Sequence, residues 1–179
     1  MKRYKKSILF LIKFFGVYFF LLGVYAVYLN RSQQRDPEFK CASITQKVAA
    51  HSSKTLHFLG YDSFTEQHPT ALAFKLYIDQ KVIARVVEGC NSVSILILFV
   101  SFIIAFSGRL KPTILFVLVG GLFIYFINVL RIALLSILLY KFPYQQAFFH
   151  NLVFPAIIYG AVFLLWVLWV RNFSNLKHA

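Results

Sequence analysis

Residues 113–140 are nearly continuous apolar sequence, broken by Asn128 and Arg131. A membrane-crossing helix needs about 20 residues, so this run is too long for one upright span and too short for two. It predicts a single span whose upper end runs past the membrane surface or bends there. A charge inside such a run is expensive, which makes Arg131 the first functional candidate. Its bland reading is snorkelling from the upper end of the helix.

Three other apolar runs accompany it, giving predicted spans at about 8–29, 91–107, 113–135 and 151–170. The first follows a basic start of Lys2, Arg3, Lys5 and Lys6 and is interrupted by Lys13, which can snorkel inward. Bulky Val27 and Tyr28 follow Ala26, so no small-x-small cleavage site is present and the run reads as a retained helix. The second run, 93–106, is short and must borrow Asn91, Ser92 and Ser107. The basic turn Gly108-Arg109-Leu110-Lys111-Pro112 and the tail cations Arg171 and Lys177 mark the cytoplasmic side. The expected fold is an all-α integral membrane protein with four transmembrane helices, N-in and C-in, forming one domain over 1–179. Its expected place is the plasma (inner) membrane.

Composition agrees with this class. The chain is 59% hydrophobic and only 14% charged, more apolar surface than a soluble domain of this size can hide. The formal charge of +13 does not imply nucleic acid, because the cations gather at the ends of apolar runs. Anionic lipid is their expected partner.

The one sizeable polar region, 30–90, is predicted to lie outside the membrane as a small helix-plus-hairpin unit. Asp36-Pro37-Glu38 resembles a helix start, and Cys41, Ile44, Val48, Ser52, Thr55 and Leu59 follow at helical spacing up to Gly60. Residues 61–70 read as irregular. Residues 73–78 and 81–87 read as two strands around Asp79-Gln80, the second feeding directly into Glu88-Gly89-Cys90-Asn91-Ser92.

Helix rise then places three chemically useful side chains at one height. Measured from Arg109, Cys90 lies about 28 Å up; Arg131 lies about 30 Å above Lys111; His150 lies about 31 Å above Arg171. A thiol at a helix mouth meets N–H groups that favour the reactive thiolate. His150 is suited to moving a proton near neutral pH, and Arg131 offers several donors to a developing oxyanion. Nucleophile, proton carrier and oxyanion clamp suffice for acyl transfer at a peptide carbonyl. Each has a bland alternative: packing for Cys90, a disulfide between Cys41 and Cys90, and interfacial anchoring for His150. Asn128, one turn below Arg131, is read as a hydrogen-bond partner of that arginine or as helix packing. Glu88 is read as an ion-pair partner for Arg131 or a solvated acid. His51, His57, His68 and His178 lack ligand spacing, so no metal and no cofactor is expected.

The set Glu88-x-Cys90, Asn128-x-x-Arg131-Ile132-Ala133 and His150 before the last span resembles the exosortase/archaeosortase family. The short chain and its Glu-Gly-Cys-Asn-Ser form look most like the exosortase F subgroup of Bacteroidetes. The resemblance covers about residues 86–169. Family members commonly carry Ser-Gly after the cysteine, where this chain has Asn91-Ser92. The resemblance implies a membrane cysteine transpeptidase or protease, with Cys90 as nucleophile, Arg131 as oxyanion stabiliser and His150 as acid/base. It implies substrates that are exported proteins ending in a short motif, a membrane helix and a basic tail, cut at the outer face of the membrane. The alternative is a non-enzymatic assembly or scaffold protein of a surface-export system. A small transporter fits less well, since the polar residues gather at one surface rather than along a midplane path.

Overall fold

The structure is a computed structural model that describes residues 2–35, 38–106, 109–145 and 148–172. It contains helices α1 (Lys2–Ser32), α2 (Ser43–Phe58), α3 (Val93–Ala105), α4 (Leu110–Lys141) and α5 (Phe154–Asn172). Strands β1 (Ser63–Gln67), β2 (Ala73–Ile78) and β3 (Lys81–Val87) lie between α2 and α3. The short turns Glu88–Cys90 and Pro143–Gln145 are 3₁₀, and Phe149–Val153 is a π-helical turn leading into α5.

Among the described residues, three helical stretches are long and apolar enough to cross a membrane: Ser7–Ser32, Leu110–Lys141 and Pro155–Asn172. The chain is a multi-pass membrane protein on this ground. α3 is just as apolar but has only 13 residues, or about 20 Å of helix. Phe10 of α1 packs against Phe102 and Phe106 of α3, and Phe102 stacks on Trp166 of α5. Phe99, Ile103, Ile124, Val162 and Trp169 form the buried centre of this bundle. Gly120 lets α4 approach α3 closely, since a Cβ there would stand 2.5 Å from the ring of buried Phe99. The outward faces stay apolar, with Phe19, Phe20, Leu118, Leu122 and Phe126 exposed.

α4 is continuous for 32 residues, about 48 Å, well beyond a bilayer core of about 30 Å. Its upper turns support a cap made of α2 and the sheet. Ile132 and Ala133 join Val48, Leu56, Leu76 and Val86 in the cap's core, and the Tyr140 hydroxyl donates to the Asp79 carboxylate at the hairpin tip over 2.8 Å.

The cap differs from its sequence-based outline in two places. α2 begins at Ser43 rather than near Asp36; Asp36 and Pro37 lie outside the described residues, and Glu38 is not helical. Instead Gln34 and Lys40 pair backbone to backbone over 3.0 and 2.8 Å, which turns the chain before the helix starts. The buried stripe is therefore Thr45, Val48, Ala49, Ser52, Ser53 and Leu56. The helix does end at Gly60: its φ of +87° lets Gly60 N–H reach His57 and Tyr61 N–H reach Leu56, both over 3.0 Å, a Schellman closure. The second difference is that the stretch expected to be irregular contains β1. It pairs antiparallel with β2 from Ser63↔Ile78 to Gln67↔Phe74, giving the sheet order β1-β2-β3. The β2–β3 turn is Asp79-Gln80, with φ of 49° and 65°, the paired left-handed conformation of a tight two-residue hairpin.

Candidate active site

Cys90 ends the 3₁₀ turn that joins β3 to α3, and its backbone is held from three directions. Ahead of it, the Glu88 carboxylate accepts from the Ala42 N–H over 2.9 Å and from the Thr45 hydroxyl in a very short bond. Glu88 therefore caps α2 from far along the sequence, taking the place of a local capping side chain. Behind it, Asn91 is 2% exposed; its Oδ1 accepts from Val93 N–H over 3.0 Å and its Nδ2 lies 3.1 Å from Glu88 and 2.8 Å from the Tyr25 hydroxyl of α1. From the side, Asn128 Nδ2 of α4 donates to the Cys90 carbonyl over 2.8 Å.

Two expectations change here. Glu88 is neither a partner of Arg131 nor a solvated acid, because its oxygens are taken up by α2 and Asn91. Asn128 bonds the cysteine's backbone rather than Arg131. Thr45 and Tyr25 carry this network and stood out in no motif. Their only sequence signal is a hydroxyl in a weak apolar stripe and a tyrosine near the top of a span.

The departure after the cysteine also has a geometry. Ser92 has φ 63° and ψ 2°, a left-handed conformation in which glycine is at ease. Its hydroxyl donates back to the Asn91 carbonyl over 2.6 Å, a local bond that helps a non-glycine residue hold this shape.

Cys90 and Arg131, expected at one height, line the same cleft of about 540 Å³. Residues 82–86 of β3 form one wall, α4 forms the other, and Pro155 at the head of α5 reaches the rim. Among the described residues Arg131 makes no hydrogen bond or ion pair, and its buried Nε has no partner. Asn128 Oδ1 is likewise buried without a partner. His150 belongs to the π-helical turn Phe149–Val153, and its side chain lies outside the described residues, so its height and direction are not part of this geometry.

The two cysteines are both free, so no disulfide joins Cys41 to Cys90. They differ in setting. Cys90 is partly exposed on the cleft, whereas Cys41 is 3% exposed with its Sγ 3.6 Å from Gln67 Nε2. Burial pushes the Cys41 thiol above its ordinary pKa, against a smaller opposing pull from that Gln67 contact. Cys41 thus belongs to the cap's core. Of the histidines expected to be bystanders, His51 shares a 2.7 Å hydrogen bond with the Tyr125 hydroxyl across the α2–α4 seam.

A partly exposed thiol, a guanidinium without a partner among the described residues and a rigidly held backbone at the head of an apolar helix can support covalent chemistry on a peptide carbonyl. Comparison with known proteins adds one match. The family described as transmembrane exosortase (Exosortase_EpsH) aligns with residues 7–170, nearly the whole chain. No curated protein and no solved structure matches.

Proposed function

The chain belongs to the transmembrane exosortase family, a family with a membrane-embedded sorting role on exported proteins, and from that premise we propose a specific chemistry for it. It is a cysteine transpeptidase or protease that cuts C-terminal sorting signals at the outer face of the inner membrane. In this reading four helices cross the bilayer, α3 together with Asn91 and Ser92 being the short one, and both termini are cytoplasmic. The cap then faces outward, and the Arg109 and Lys111 turn faces inward. The Glu-Gly-Cys-Asn-Ser form favours the F subgroup.

The reaction runs through a thioester. The Cys90 thiolate attacks the scissile carbonyl carbon, and Arg131 donates to the oxygen as it gains charge. The tetrahedral species collapses by breaking the C–N bond, and His150 delivers a proton to the departing amine. The N-terminal part of the substrate stays on the sulfur as a thioester. Water or an acceptor amine then attacks that carbonyl and gives its proton to His150, and the thiolate leaves. Asn128, Glu88 and Asn91 act as positioning residues that fix the thiol's backbone. Pro155 on the cleft rim favours this role for His150, which lies in the turn just before α5.

The observation that carries the reading is that Cys90 and Arg131 share one cleft while Arg131 has no partner among the described residues. It is tested by expressing Cys90→Ala in the source organism and reading the C-termini of exported proteins by mass spectrometry. Processing should fall on the order of 10³-fold or more, as for other nucleophile deletions. Unaltered C-termini would remove Cys90 from the mechanism and favour the scaffold reading.

A further inference from the structure

β3 is at once the free edge of the sheet and a wall of the cleft. The order β1-β2-β3 pairs it on one side only. Among the described residues no backbone bond outside the β2 ladder involves residues 81–87. An unpaired edge presents a row of N–H and C=O groups ready to accept another strand. Successive side chains of a strand point to opposite faces. The register to β2 shifts at Ile83, which breaks this alternation, and five consecutive residues of β3, 82–86, line the cleft, so the hollow follows the strand along its length beside the unpaired edge. The opposite wall is a single stripe of α4: Arg131, Ile132, Leu135, Ser136 and Leu139. Gly89 and Cys90, which continue the chain beyond β3, line the same trough. Five extended residues measure about 16 Å, the reach of a short peptide laid beside β3.

We propose that the substrate segment just outside its membrane helix docks as a fourth strand on the β3 edge, and that this ladder carries the scissile bond to Cys90. The proposal rests on Cys90 being the nucleophile. Main-chain bonds to β3 supply affinity that is indifferent to side chains, and the trough walls select among alternate side chains. Among the described residues the lining holds two cations, Arg85 and Arg131, and no acid, so the docked stretch is neutral or acidic and free of lysine and arginine. The continuity of β3 with the thiol argues for substrate as the occupant. A second copy of this chain pairing β3 to β3 would instead cover the approach to Cys90.

The experiment places p-benzoylphenylalanine at Val82 or Arg85, both exposed on β3, in full-length chain carrying Cys90→Ala to retain uncut substrate. Phe64 on β1, at the opposite edge, is the control position. The probes are the source organism's own exported proteins with an apolar C-terminal helix and basic tail. Their C-termini are compared in cells with the unaltered chain and with Cys90→Ala. Val82 and Arg85 should cross-link to substrate residues within about ten positions of the membrane helix, spaced on the substrate as they are on β3. Yields should be about tenfold above the β1 position. Cys90-dependent processing without such cross-links, or with cross-links to the substrate's membrane helix or to a second copy of this chain, overturns strand docking alone. C-termini that do not depend on Cys90 overturn the nucleophile reading, and strand docking with it.

Discussion

The cap and the bundle are held together by different means. In the cap, α2 and the sheet bury Leu56, Leu76, Ile78 and Val86, and polar groups trapped with them form bonds between elements, as Ser53 does to Ser63. In the bundle, contact is mostly by ring and by shape. Phe102 stacks on Trp166, Phe116 leans on Trp169, and Phe99 fills the notch at Gly120. Ser101 spends its hydroxyl on the Ile97 carbonyl within its own helix. Water drives the first kind of packing. Lipid tails offer no such drive between helices, so close fit has to do the same job. Cys90 sits on the seam. Glu88 and Asn91 tie it to the cap, Asn128 and Tyr25 tie it to the membrane helices, and neither region alone would fix it.

Three substitutions probe that division. The largest effect on turnover is expected at the seam: Asn128→Ala frees the Cys90 carbonyl. It should lower C-terminal processing by about 10- to 100-fold, the rate equivalent of about 1.4–2.8 kcal/mol. Expression and thermal unfolding in detergent should change far less than turnover. Equal losses in both would make Asn128 a packing residue. Next comes the cap. Glu88→Ala removes the distant helix cap and three hydrogen bonds, costing about 2–4 kcal/mol. Hydrogen exchange should show the first turn of α2 opening while α3 and α4 stay protected, and Glu88→Gln should restore part of that protection. Opening that spreads into the bundle would mean the two regions are one cooperative unit. The smallest effect is in the bundle. Gly120→Ala drives a methyl into Phe99 and should cost about 1–3 kcal/mol. It should lower the bundle's melting temperature and leave exchange in the cap unchanged.

How much of this was readable beforehand divides along the same seam. The long helices were legible because a bilayer imposes length and composition on each run, and α4 shows the excess length as an extension alongside the cap. The strands on either side of Asp79-Gln80 are legible as two short runs, 73–78 and 81–87, flanking a turn. β1 was not, because Ser63, Thr65, Glu66 and Gln67 carry little apolar signal, and the strand exists by pairing with β2. The start of α2 was misplaced for a related reason. Its cap comes from Glu88, and no local pattern around Ala42 announces a partner so far along the chain. The residue types of the candidate site were legible in Cys90 and Arg131, whereas the hydrogen bonds that aim the thiol were not. Asn128 stands out in the sequence as a polar residue in an apolar run, but its partner, the Cys90 carbonyl, does not, and Thr45 carries no signal of its own.

The most direct measurement is on the sulfur itself. Membranes holding the full-length chain and an exported substrate are quenched in acid during turnover, and the Cys90 peptide is analysed by mass spectrometry with and without hydroxylamine. The account predicts a substrate fragment on Cys90 that hydroxylamine releases, and none on the buried Cys41. Continued C-terminal processing with the Cys90 sulfur never modified would contradict it.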